Sequence, residues 1–260
     1  MNEKRRISLL FFILVMLFFY LPIIMLIVLS FNSTKAYEFK SFSLRWYIEL
    51  FFRSPRLWQA FGRSLIIAIT SSIISVIIAL FGAIGIKWYN FKLKGYVKVL
   101  NYIPLIIPDL IIGVSLLLFF NMNFAKVPLG MLTIFIAHTT FNIPFSLFII
   151  MSRLSEFDFS IVEASRDLGA TEFQTLNKVI LPTMTPGIVS AFLMSMTLSL
   201  DDFVITSFVT GTNSDTLPIQ IYSMLKFGVS PTINALSTIL IIGTLVLALS
   251  SRKLQKYMLS

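Results

Sequence analysis

The chain has 260 residues, of which 57% are hydrophobic and only 13% are charged, and its mean hydropathy is +0.88. Charged residues make up about a quarter of a soluble domain, so this composition excludes an ordinary soluble protein and indicates an integral membrane protein. The chain contains no cysteine, which excludes disulfides, a thiol nucleophile and Cys-ligated metal sites. Its net charge of +9 is not gathered into a basic face with interleaved stacking residues. We therefore attribute the charge to membrane topology rather than to nucleic-acid binding.

Long apolar runs predict an all-α fold with six transmembrane helices. About 20 residues at about 1.5 Å each match a hydrocarbon core of about 30 Å. The first run is longer than the apolar core of a signal peptide and has no cleavage site, so we expect it to be retained. The predicted spans are residues 7–31, 64–86, 99–121, 129–151, 183–209 and 233–251.

The segments between these runs predict the division of the chain and its orientation. Residues 1–62 are expected to form the first span and an external loop with an interfacial helix, because Trp46, Tyr47 and Trp58 are typical of a headgroup interface. Residues 63–251 form a five-helix core that includes a polar loop at 152–182, and residues 252–260 form a tail. Lysine and arginine are most concentrated in the loop at 87–98. This bias predicts that both termini and the 152–182 loop lie in the cytoplasm.

Three aspartates lie within the predicted spans, where an ionised carboxylate costs about 2.5–3.5 kcal/mol on insertion scales and usually faces a cavity or a partner. Asp109 directly follows Pro108, and a second proline at 104 disturbs the same helix. It is predicted either to line a path or to accept backbone N–H groups at a helix break. Asp202 shares a helical face with Ser195, Ser199 and Thr206 and is predicted to face the path, whereas Asp201 projects towards a neighbouring helix or subunit.

Two further groups of polar and aromatic residues accompany these acids. His138, Asn142 and Ser146 share one face of the fourth span. We interpret them as an interhelical packing network rather than as a site. Phe203 and Tyr222 are aromatics that could attract an amine. Carboxylates along a path favour a cationic cargo, such as an extended amine.

The 152–182 loop contains two predicted helix starts at a corner. Ser160 with Glu163, and Thr171 with Gln174, each match a capping box. Gly169 fits a left-handed turn that ends the first helix, and Pro182 is expected to stop the second. A compact pair of helices exposed on one face of a bundle is suited to the groove of a partner protein.

The same stretch resembles the signature of the permease subunits of binding-protein-dependent ABC importers. The signature positions are Glu163, Ala164 and Ser165, then Gly169 after a three-residue spacer that includes Asp167, and after nine more residues Val179-Ile180-Leu181-Pro182. Ser165 and Val179 depart from the family's Ala and Ile. The resemblance implies the type I ABC importer permease fold, with cytoplasmic coupling helices that dock on an ATPase subunit. We refer to residues 152–182 as the coupling loop.

Other segments resemble, more narrowly, the C-type permease subunits of spermidine/putrescine importers. They include residues 21–32, the stretch from Ser199 to Gly211, and residues 217–235. This resemblance implies a multi-pass protein of the bacterial inner membrane that works by alternating access. The implied partners are two copies of an ATP-binding subunit, a second, different permease and an external polyamine-binding protein.

Motifs of catalysis are missing from the sequence. It contains no Gly-Lys pair, so it lacks a phosphate-binding loop, and ATP with Mg²⁺ is expected only on the partner ATPase. A single histidine excludes a His-Glu-x-x-His zinc site, and no cofactor or metal is expected on this chain. Alternative interpretations are a permease for another solute, an ion-gradient-driven carrier, and an aspartyl protease that uses Asp109 with Asp201 or Asp202.

Overall fold

The structure is a computed structural model that describes residues 3–35, 38–122, 126–226, 228 and 230–258. These residues form helices and connecting loops, with no β-strand among them apart from one isolated bridge between Asn32 and Phe42. The helices are α1 (Glu3–Ser30), α2 (Arg45–Arg53), α3 (Pro55–Trp88), α4 (Lys94–Ile106), α5 (Asp109–Asn121), α6 (Met131–Ser155), α7 (Ser160–Asp167), α8 (Glu172–Thr175), a π-helical turn (Leu176–Ile180), α9 (Leu181–Asp201), α10 (Val204–Val209), α11 (Leu217–Lys226) and α12 (Pro231–Met258). The all-α class is confirmed.

Four of these helices are long and apolar enough to cross a membrane, and α4 with α5 makes a fifth candidate if the bent pair is one span. The four are α1, α3, α6 and the continuous rod at Glu172–Asp201. The apolar part of α12 is shorter and covers Pro231–Val246 of the described residues. Four to five spans therefore follow from length and hydropathy alone, and the predicted sixth depends on α12.

Two predicted spans differ from the straight rods that an apolar run suggests. The third run bends by 108° between α4 and α5, at a position where Pro108 lacks the N–H group that would continue the helix. The fifth run does not continue to residue 209, because α9 ends at Asp201 and α10 begins at Val204. Both breaks occur at an aspartate.

The chain divides into two compact units, of which the first is Met1–Trp58 with Ile221–Ser260. Within it, α12 packs against α1 and α2. Asn32 organises the turn after α1, since its side chain donates to the Glu38 carbonyl (2.8 Å) and accepts from the Lys40 amide (3.0 Å). The Trp46 indole donates to the Asn32 carbonyl, which ties α2 to the end of α1. A helix is thus confirmed within the predicted 32–62 segment.

The second unit is Gln59–Gln220, and α6 packs against α9 in its interior. One apolar cluster joins α3, α6, α7 and α9 around Leu147, Ile150, Val162 and Met184. Another joins α5, α6 and α10 around Phe120, Phe141 and Ile205. Gly113 permits the close approach of α5 to α10, because a Cβ there would lie 2.6 Å from a ring carbon of Phe208. This unit carries the coupling loop and the three aspartates.

Candidate functional site: the coupling loop and the aspartates at the helix breaks

The corner of the coupling loop is a left-handed turn at Gly169, as predicted, with φ +83°. The Gly169 amide donates to the Arg166 carbonyl (2.8 Å), and the Ala170 amide donates to the Ser165 carbonyl (3.0 Å). This pair of bonds is the Schellman arrangement that ends a helix. The corner is therefore fixed by the backbone of α7 itself.

The start of α7 differs from the prediction of a cap at Ser160. Phe159 precedes the helix and Ser160 is its first residue, so the Ser160 hydroxyl is not the cap. Instead, the Asp158 carboxylate accepts a hydrogen bond from the Ser160 amide at 3.0 Å. Hydrogen bonds from the Ser160 amide and hydroxyl hold the pKa of Asp158 below its ordinary value. The predicted capping box was wrong because an aspartate two residues earlier serves the same amide.

The second predicted capping box is confirmed at Thr171. Its hydroxyl accepts from the Gln174 amide (3.3 Å), and the Gln174 side chain accepts from the Thr171 amide (2.9 Å). Arg166 and Glu172 form an ion pair of 2.9 Å across the corner. The two arms of the loop are held together on both sides of Gly169.

Pro182 does not stop the second helix, contrary to the prediction. A π-helical turn at Leu176–Ile180 precedes it, closed by a hydrogen bond from the Leu181 amide to the Leu176 carbonyl. The wider turn accommodates a proline that has no amide to donate. Glu172–Asp201 consequently forms one rod of 30 residues, about 45 Å long at about 1.5 Å per residue, that runs from the coupling loop to the break at Asp202.

The residues of the coupling loop divide into a buried anchor and an exposed tip. Val162 is buried, and the Ser165 hydroxyl lies 3.0 Å from the hydroxyl of buried Thr175. Among the other motif residues, Leu181 is half-buried and the following are exposed: Glu163, Ala164, Asp167, Gly169 and Pro182. Leu168 and Phe173 leave 88% and 72% of their surfaces exposed. Two large apolar side chains at the tip of a polar loop are typical of a protein-binding surface.

Asp109 is exposed at the first residue of α5, immediately after the 108° bend. Asp201, the last residue of α9, is also exposed, and its carboxylate interacts electrostatically with those of Asp202 and Asp109. Helix α5 packs against α10, so the break before Asp109 and the break after Asp201 belong to neighbouring parts of the second unit. We refer to Asp109 and Asp201, the two exposed acids at these breaks, as the acidic pair.

Asp202 is largely buried, and its carboxylate serves the start of α10. It accepts from the Thr206 amide (2.8 Å), the Thr206 hydroxyl (2.6 Å) and the Ile205 amide (3.2 Å). The His138 Nε2 atom lies 3.3 Å from the same carboxylate, and the Asp202 side chain is only 7% exposed. The carboxylate therefore caps a helix, and the exposed neighbour is Asp201 rather than Asp202. Residues 195–206 do not form one continuous helical face, since α9 ends between them.

His138 joins α6 to both sides of this break. Its Nδ1 atom lies 2.6 Å from the Ser199 hydroxyl, and its Nε2 atom lies 2.8 Å from the Thr206 hydroxyl. A neutral imidazole that accepts from Ser199 and donates to Thr206 lets Thr206 donate onward to Asp202. Every polar group in this series of hydrogen bonds then has a partner. A buried polar network makes a structure rigid when this condition is met.

The rest of the predicted polar face on α6 is also buried. The Ser146 hydroxyl lies 2.7 Å from that of Ser195 on α9. Asn142 is 0% exposed, and its side chain has no hydrogen-bond partner among the described residues. The interhelical network predicted from sequence is present, with Asn142 as its unpaired member. Sequence reasoning did not find the partners, since they come from another helix.

The two predicted aromatic path residues lie in different units. Phe203 is half-buried in the break between α9 and α10. Tyr222 lies on α11 in the first unit and is 53% exposed. Their predicted contribution to a path stays a prediction.

Comparison with known proteins gives concordant matches in sequence. The family model described as "Binding-protein-dependent transport system inner membrane component" matches residues 75–258. The spermidine/putrescine transport system permease protein PotC of Escherichia coli (strain K12) is 39% identical over 236 residues, which cover 90% of this chain and 88% of that protein. The putrescine transport system permease protein PotI of the same strain is 40% identical over 230 residues, with 86% and 82% coverage.

Solved structures with the same fold have low sequence identity. A chain of a bacterial ABC transporter involved in the import of the acidic polysaccharide alginate has a TM-score of 0.74 at 15% identity, covering 97% of this chain and 98% of that one. A chain of the inward-facing MetNI methionine ABC transporter has a TM-score of 0.64 at 20% identity, covering 78% and 95%. These structures support the fold.

Proposed function

The chain belongs to the family of binding-protein-dependent transport system inner membrane components, and on this premise we propose that it is the C-type permease subunit of an ATP-driven importer of polyamines. The observation that supports a polyamine cargo is the 39% identity to PotC over 90% of the chain. Structures of the same fold belong to importers of alginate and methionine, so the fold does not select a cargo. The near full-length sequence match does.

In this proposal the chain crosses the inner membrane six times, with both termini in the cytoplasm. The bent pair of α4 and α5 counts as one span, and α12 provides the sixth. The lysines at 87–98 and the coupling loop then lie on the cytoplasmic side, in agreement with the bias of positive charge towards cytoplasmic loops.

The coupling loop is the proposed docking element for the ATPase. Leu168 and Phe173 present apolar surface at its tip, and the Schellman corner at Gly169 holds α7 at a set angle to the rod that follows. The rod at Glu172–Asp201 begins inside the coupling loop and is continuous. A displacement of the loop is therefore expected to move the whole rod. ATP-driven closure of two partner ATPase subunits would thus reach the acids at the far end of the rod, as alternating access requires.

The proposed cation path begins with the exposed acidic pair Asp109 and Asp201. Their negative charges attract ammonium groups, and Phe203 in the same unit adds an aromatic face for cation–π contacts. Asp202 is proposed to contribute only its negative charge and not a direct contact. Its carboxylate accepts a hydrogen bond from Thr206 and faces His138. The second permease and an external binding protein complete the path in the assembly.

Uptake of radiolabelled spermidine and putrescine by the complete importer in proteoliposomes tests the proposal. We expect ATP-dependent polyamine uptake whose rate is not reduced by an excess of other cations. Asp109→Asn or Asp201→Asn is expected to lower this rate without loss of assembly. Asp215→Asn is the matched control, since Asp215 lies in the loop after α10, outside the acidic pair. ATP-dependent uptake of a different solute, with no polyamine uptake, would contradict the cargo and leave the family unchanged.

A further inference from the structure

A groove open to the surface runs between α3, α4 and α6 in the second unit. It consists of two cavities of about 510 and about 120 Å³ that share Ile86, Asn101 and Leu147 in their linings. The larger one lies within the roughly 300–1,000 Å³ range of ligand sites. Its apolar end is lined by Ile78 and Thr140, eight residues and about 12 Å along α3 from Ile86. The groove is thus elongated and mostly apolar.

The other end of the groove is basic. Lys98 and Tyr102 line it, and Lys94, Lys98 and Asn101 recur at helical spacing on one side of α4. No Asp or Glu occurs in the sequence between Glu49 and Asp109. Within the described part of the chain Lys98 forms no ion pair. A ligand in this groove would therefore meet positive charge at one end and hydrocarbon at the other.

Helix α4 presents both lysines and exposed apolar side chains on its surface. None of its residues is buried, and Tyr96, Val99, Leu100 and Ile106 are exposed, Ile106 to 80%. Its 108° bend away from α5 separates its direction from that of the helix that follows. A lysine-rich polar face beside exposed apolar residues is typical of helices that bind anionic lipid surfaces.

We propose that this groove binds one anionic phospholipid of the cytoplasmic leaflet, with an acyl chain between α3 and α6 and the phosphate group at Lys98. The charge gradient along the groove matches a phospholipid, in which one anionic head adjoins a long apolar tail. Because α4 leads directly into the bend before Asp109, the lipid stabilises the helix that positions the acidic pair. The leaflet assignment rests on the proposed orientation.

Native mass spectrometry of the assembled transporter, purified in mild detergent with phosphatidylglycerol, measures the bound lipid. A lysine near a membrane surface contributes about fivefold to the binding of anionic lipid, so Lys98→Gln lowers the retained phosphatidylglycerol by about that factor. Lys40→Gln, the same change at an exposed lysine outside the groove, leaves it at the wild-type level. Equal retention in both variants would overturn the proposal.

A second variant fills the apolar end without removing charge. Gly85 lines the groove, and a Cβ built on it has no atom within 4 Å, so a side chain at this position starts in open space and Gly85→Leu is expected to extend into the groove. We expect this variant to assemble with the ATPase and to lose phosphatidylglycerol. Full retention in the assembled Gly85→Leu complex would contradict an acyl chain in the groove.

A photoreactive p-benzoylphenylalanine in place of Leu100 identifies what covers the groove. A lipid adduct on this chain supports the proposal, and cross-linking mainly to the second permease overturns it. These measurements need neither polyamine nor ATP. Failure of polyamine uptake would thus leave the lipid result standing, and failure of lipid retention would leave the transport proposal standing.

Discussion

Replacing Gly169 tests how strongly transport depends on the corner of the coupling loop. The residue has φ +83°, and a Cβ added there meets no atom within 4 Å, so a side chain adds backbone strain without a steric clash. An L-residue in the left-handed region costs about 1–2 kcal/mol, and asparagine tolerates it better than most. An energy of one or two kcal/mol changes an equilibrium by roughly 5- to 30-fold.

The expected order of ATP-dependent uptake is therefore glycine first, then Gly169→Asn, Gly169→Ala and Gly169→Val, because a β-branched residue fits this region worst. Uptake and substrate-stimulated ATPase activity are measured on the same reconstituted complexes, with co-purification of the ATPase as the measure of assembly. Gly62→Ala on α3 is the control, since a Cβ at Gly62 also meets nothing within 4 Å and its φ lies outside the left-handed range. Wild-type uptake by an assembled Gly169→Val complex would refute the argument from corner geometry.

Three further predictions concern the second unit and are read out by thermal unfolding of the assembled complex. Asp202→Ala leaves the amides at the start of α10 unpaired and costs about 1–3 kcal/mol, whereas Asp202→Asn keeps an acceptor and costs less; equal losses would contradict the capping role. Gly113→Ala forces α5 away from Phe208 and destabilises by about 1–3 kcal/mol; an unchanged unfolding temperature would contradict the close contact. Asn142→Leu removes a buried amide without a described partner and raises the unfolding temperature by about 2–4 °C per kcal/mol gained; a decrease would reveal a partner for the amide.

Local chemistry made parts of the site predictable. Gly169 and the Thr171–Gln174 box were recognised because each satisfies backbone groups within a few residues in sequence. The break before Asp109 was predicted in the same way, since Pro108 removes a helical donor. Such features depend on neighbouring residues alone and not on the packing of the bundle.

At three positions the predicted local structure was wrong because a second arrangement satisfies the same backbone groups. Pro182 usually ends a helix, yet the π-helical turn before it absorbs the missing hydrogen bond. Ser160 matched a cap, yet Asp158 serves its amide. The pattern from Ser195 to Thr206 matched one helical face, although Asp202 shortly before the apolar residues Val204 and Ile205 is also a helix-start signal. That second signal would have identified the break at Asp202.

Interactions between distant segments could not be derived from the sequence. His138 contacts Ser199 and Thr206 across α6, α9 and α10, and helical spacing on α6 indicates only that a polar face exists. The groove beside Lys98 likewise depends on the bend of α4, whose direction no residue pattern specifies. Both depend on how the helices of the second unit pack.

Cross-linking from the tip of the coupling loop tests the central claim most directly. The chain has no cysteine, so Leu168→Cys carries a single benzophenone-maleimide at a residue that is 88% exposed. In the assembled importer we predict cross-linking to the ATPase subunit, and no reaction of this cysteine with an impermeant maleimide added outside right-side-out vesicles. Labelling from the outside, or a cross-link to any protein other than the ATPase, would contradict the account.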